Sequence, residues 1–125
     1  MNTKNKKYLI TILTILFLNI TFVSLADDNK HGEVFIISPL DGEVVKQTFR
    51  VVFGIKNFDL SPAGTYDKNT GHHHLLIDVE KMPDFKYPIP SDGHHLHFGG
   101  GQTEALIQLT PGNHDLQLIL GDRFH

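Results

Sequence analysis

The chain has 125 residues, 40% of them hydrophobic, a formal net charge of −3 and no cysteine. Disulfides, thiolate metal sites and cysteine nucleophiles are therefore excluded. The acidic balance also argues against a nucleic-acid partner, because phosphate contacts need clustered Lys and Arg.

Residues 1–26 differ in kind from the rest. Lys4, Lys6 and Lys7 precede an apolar run from Tyr8 to Val23, and Ser24-Leu25-Ala26 places small residues at −3 and −1 before Asp27. This order predicts a cleavable signal peptide over residues 1–26 and a single exported domain over residues 27–125. In a Gram-negative bacterium that domain is periplasmic, and cleavage leaves it without a stable membrane anchor. Loss of three lysines makes the mature domain more acidic still.

The mature chain shows no sustained 3.6-residue apolar period. Short β-rich runs recur between turn residues instead. Strands are expected at Val34–Ile37, Thr48–Ile55 (TFRVVFGI) and His72–Val79 (HHHLLIDV), with a long loop from Asn57 to Gly71 between the last two. Pro83, Pro88 and Pro90 make residues 81–93 an irregular crossing rather than a helix. Further strands are expected at His95–Phe98, Thr103–Leu109 and His114–Leu120, with a turn at Gly99-Gly100-Gly101. Six or seven short strands in this length predict an all-β fold, a small immunoglobulin-like two-sheet sandwich.

The histidines carry the chemistry. Of nine, eight follow residue 71, as His72-His73-His74, His94-His95, His97, His114 and His125. On a strand, residues i and i+2 share a face with Cα atoms about 6.7 Å apart. Two imidazole nitrogens on one ion lie roughly 3.3 Å from each other, a gap that side chains can close by leaning together. His72 with His74 and His95 with His97 are thus two candidate chelates. His73 shares its face with Leu75, Ile77 and Val79 and is expected to point into the core. Glu104 lies beyond the glycine turn and falls opposite His97 if that turn is a hairpin loop over Gly99–Gln102. Imidazole and carboxylate without thiolate favour a divalent ion, Zn²⁺, Cu²⁺ or Ni²⁺, over Cu⁺. Two alternatives use the same residues: a polar network in which the histidines are structural, and recognition of a small ligand. His114 and His125 are read as surface or hydrogen-bonding residues.

The segments GHHHLLID (residues 71–78), HLHFGGGQTE (residues 95–104) and PGNH (residues 111–114) leading to LILGD (residues 118–122) resemble the bacterial domain-of-unknown-function family numbered 4399. Ser38-Pro39-Leu40-Asp41-Gly42, Phe53-Gly54 and Pro62-Ala63-Gly64 are similar to its N-terminal part, so the resemblance spans about residues 33–125. It implies a fold and no established activity. Its motif positions are His72, His73, His74, His97, Gln102, Thr103 and Glu104, which makes His73, Gln102 and Thr103 candidate supporting residues. Family members usually continue past Asp122 with a Pro-rich turn and a final strand. The resemblance therefore implies a sandwich lacking its last strand, with an open sheet edge through which copies can self-associate.

The sequence thus predicts an exported sandwich that binds a divalent transition metal, Cu or Zn, through His72, His74, His95, His97 and Glu104. A non-catalytic envelope interaction module and a metal-dependent enzyme with an open coordination position are the alternatives.

Overall fold

The computed structural model describes residues 31–124. The expected signal peptide and His125 lie outside the described residues.

Seven strands make two sheets: β1 (Glu33–Ser38), β2 (Thr48–Lys56), β3 (Asp59–Leu60), β4 (Thr70–Ile77), β5 (His95–His97), β6 (Glu104–Gln108) and β7 (Leu116–Gly121). The first sheet is antiparallel, in the order β1-β2-β6. The second is built around β4. One edge of β4 pairs antiparallel with β7, and the other pairs first with β3, in parallel, and then with β5. The described residues contain no helix long and apolar enough to cross a membrane.

The sheets face each other across one core. Val51 and Phe53 of β2, Leu75 and Ile77 of β4, Ile107 of β6 and Leu118 of β7 are its buried members. Each fully buried aliphatic side chain of this kind contributes about 1.5–3 kcal/mol of transfer free energy, so the inner faces hold a domain that has no disulfides. The outer face of the second sheet is covered too. Ile89, in the Pro-rich crossing, packs on Leu76 and Ile119 with Val79 beside them. That crossing straps the sheet and makes a second, smaller apolar cluster.

Three details differ from the sequence-based expectations. The loop over residues 57–71 contains β3, a two-residue strand too short for a periodic signal. β4 ends at Ile77 rather than Val79, because Asp78 takes a left-handed conformation (φ 54°) that breaks the pleat. The glycine turn does not close a hairpin: β5 pairs with β4 and β6 with β2, so the turn carries the chain from one sheet to the other. Gly101 supplies the positive φ (76°), and Gly99 O accepts a hydrogen bond from Ala63 N at 2.8 Å. Glu104 is therefore the ladder partner of Val52, not of His97.

Candidate metal centre

β4 positions the site through its parity. Successive side chains leave a strand on opposite faces. With Leu75 and Ile77 in the core, His73 points inward and His72 and His74 point under the strap. The ring of His73 is fully buried, 5.1 Å from that of Phe53 at an interplanar angle of 56°. Its two nitrogens have no hydrogen-bond partner among the described residues, and burial pushes its pKa down.

On the other face, His72 and His74 are each 1% exposed. Their Nε2 atoms lie 3.1 Å apart, close to the spacing of two nitrogens on one first-row ion. His97 stands directly opposite His74 in the β4–β5 ladder. Its ring stacks on that of His74, with centroids 4.7 Å apart and 23° between planes, and meets His72 edge-on at 4.8 Å. One ligand nitrogen from each of the three lies within 4.8 Å of the others. His97 is exposed whereas its two neighbours are buried, so solvent reaches the group from its side.

Two glycines give these rings room. Gly121, the ladder partner of His72, would carry a Cβ only 2.7 Å from His74 Nε2 and 3.1 Å from His72 Nε2. A Cβ on Gly99 would sit 2.7 Å from both Cε1 and Nε2 of His97. The ring tips occupy the room that a side chain at either position would need, so the two glycines let the imidazoles approach the backbone closely. Sequence reasoning missed both glycines. Gly121 follows an apolar run and Gly99 opens a glycine triplet, so each reads as a turn residue.

The other expected site residues are placed elsewhere. His95 shares the outer face of β5, opposite Leu76, but its Nδ1 lies 2.8 Å from Asp92 Oδ1. The same oxygen accepts from the backbone N–H groups of His94 and His95, at 2.8 and 2.9 Å. The hydrogen bond from His95 is the main reason that the Asp92 carboxyl is held below its usual range. Glu104 is in the other sheet and is ion-paired with Arg50. Gln102 Oε1 accepts from Gly100 N at 2.9 Å, and Thr103 O accepts from Phe53 N at 2.8 Å, so both brace the crossing between sheets. His114 donates from Nδ1 to Asp78 Oδ2 at 2.7 Å, and its Nε2 is 2.8 Å from Thr110 O. Both ring nitrogens face acceptors, which calls for a proton on each. The Asp78 hydrogen bond accordingly raises the pKa of His114.

A cavity of about 140 Å³ opens beside the three histidines, lined by His74, Pro88, Ile89, Ser91 and His97.

Residues 51–125 match the model of the family described as Domain of unknown function (DUF4399). The matched span includes all three clustered histidines and both glycines. No curated protein and no solved structure matches the chain.

Proposed function

The chain belongs to the family of Domain of unknown function (DUF4399), a membership that assigns no activity, and from the site itself we propose an exported metal-binding protein whose ion, Cu²⁺ or Zn²⁺, is held by His72, His74 and His97. One observation carries the reading: two buried Nε2 atoms 3.1 Å apart on one strand, with a third imidazole opposite them. Neutral imidazoles are ligands that suit zinc and copper(II).

A second reading has its own support. A separation of 3.1 Å is also that of an N–H···N hydrogen bond between His72 and His74, which a purely structural network would make. Titration calorimetry of untagged protein beginning at Asp27 separates the two. Binding of one Zn²⁺ or Cu²⁺ per chain, lost in His74→Ala, supports the metal site. Equal affinity in wild type and variant leaves the histidines structural. Export has its own test: intact-mass spectrometry of the protein made in its native host should show residues 1–26 removed.

A further inference from the structure

We infer that the Pro-rich strap over residues 80–91 is a lid, a segment that lifts from the second sheet as a unit and admits small solutes to His74. The inference goes beyond the metal-binding reading and does not depend on it. His74 is 1% exposed, yet it lines a cavity of about 140 Å³. Pro88, Ile89 and Ser91 of the strap line the same cavity, together with His97 of β5. A solute that reaches His74 through this cavity therefore passes between the strap and β5.

The strap is fixed at both ends. Before it, Asp78 N donates to Asp115 O at 2.9 Å, and Asp78 Oδ1 accepts from Asp115 N at 2.9 Å. After it, Ile77 N donates to His94 O at 2.9 Å, and Asp92 Oδ1 accepts from the N–H groups of His94 and His95. Between these posts the hold is light. Residues 80–91 are exposed apart from the half-buried Pro83 and Ile89, which is 8% exposed. Lys86 N and Tyr87 N donate to Asp84, which closes a turn inside the strap rather than a bond to the sheet. Ile89 is thus the anchor, seated on Leu76 and Ile119. It lines the first cavity and also a second, of about 170 Å³, with Phe85, Leu120, Gly121 and Asp122. Where a side chain borders a void it has no partner atoms and forfeits dispersion energy. Few buried apolar contacts and an exposed backbone put such a segment at the low end of local stability. Pro88 and Pro90 fix their own φ and hold Tyr87 and Ile89 extended, so the anchor moves with a stiff piece of chain.

Carbethoxylation by diethyl pyrocarbonate is the test, read histidine by histidine with tandem mass spectrometry on untagged, chelator-treated protein. Two neighbours serve as references. His97 is exposed and reports unhindered reaction, whereas His73 faces the core and reports global unfolding. His74 is expected to react more slowly than His97. Its rate should rise with sub-denaturing urea on a slope above zero and well below that of His73, because lifting the strap exposes less surface than unfolding does. Ile89→Ala should speed His74 by at least about tenfold more than it speeds His73. A zero urea slope at His74 would mean a standing opening, and a slope equal to that of His73 would mean access by global unfolding alone. Either result overturns the lid, as does an Ile89→Ala variant in which both histidines speed up by the same factor. None of these outcomes bears on the metal-binding reading, since the measurement uses no ion.

Discussion

The Cβ that Gly121 lacks would lie 2.7 Å from Nε2 of His74. Gly121 does not have the positive φ that would favour glycine for conformational reasons, and neither does Gly99. What each position excludes is volume. In both cases the clash is with the tip of an imidazole rather than with backbone. His97, beside Gly99, is exposed and can swing aside, whereas His72 and His74, beside Gly121, are buried and shift only within their packing. The fold should therefore survive an alanine at either position, with the larger loss of stability at Gly121. The nitrogens cannot swing and still converge. Gly121→Ala and Gly99→Ala are expected to keep the wild-type circular dichroism spectrum and a cooperative melt while losing at least about tenfold in Zn²⁺ affinity, about 1.4 kcal/mol. Alanine variants that fold and bind as tightly as wild type would show that the glycines do not shape an ion site.

His95 and His97 test the site from the other side. They share one face of β5, but His97 lies opposite His74 whereas His95 is held by Asp92. His97→Ala should weaken metal binding by more than about tenfold, and His95→Ala should have a much smaller effect. Paired calorimetric titrations of the two variants make the comparison. A larger loss in His95→Ala would mean that His95 leaves Asp92 to join the ion.

Most strands and the facing of the triple histidine were legible because both follow from a period of two. Leu75 and Ile77 fix the inward face of β4, and that alone turns His73 inward and sets His72 and His74 outward. The cover over the pair was not legible, since it depends on where Ile89 lands after a Pro-rich crossing with no periodic pattern. The separation of Glu104 from His97 was hidden for a similar reason. A glycine-rich connection reads alike whether it closes a hairpin or crosses between sheets, and here hydrogen bonds from Ala63 to Gly99 and from Phe53 to Thr103 select the crossing. The capture of His95 was local and recoverable in principle. An Asp three residues before a histidine can receive both backbone N–H groups and the ring, as Asp92 does.

His73 stores a cost in the core. Its ring is fully buried against Phe53, and neither nitrogen is hydrogen-bonded within the described structure. An unsatisfied buried polar group costs about 1–3 kcal/mol. His73→Leu should therefore stabilise the metal-free protein by an amount in that range, read as a higher midpoint in urea at neutral pH. The sign of the pH dependence follows from burial, which lowers the pKa of His73 from 6.5. The contribution of the neutral ring is complete above about 6.5 and is lost as pH falls below it, because the unfolded chain then binds a proton that the core resists. Wild type should lose stability more steeply than His73→Leu on going from pH 7.5 to about 5.5. Equal slopes would mean that the ring meets a polar partner or water in the core.

Asp78 and His114 join the end of β4 to the approach to β7, and they titrate in opposite senses. Asp78 accepts from His114 Nδ1 at 2.7 Å and from Asp115 N at 2.9 Å. The His114 hydrogen bond is the main reason that its pKa lies below 3.8, and that of His114 is raised above 6.5 by the same bond. A lowered carboxylate pKa gives stability that is present above 3.8 and lost as pH falls through the lower folded value. A raised imidazole pKa gives stability that is present below 6.5 and lost as pH rises through the higher folded value. The pair therefore stabilises the fold most between these two limits. Asp78→Asn keeps a side chain that tolerates the left-handed backbone at this position (φ 54°) while removing the charge. The stability difference between wild type and Asp78→Asn, measured by urea denaturation, should be greatest near pH 5–6, well inside the window from 3.8 to 6.5, and should shrink as pH rises beyond 6.5. Salt should reduce it throughout, since both side chains reach solvent. A difference that stays constant into alkaline solution would show that the charge on His114 does not contribute to the connection.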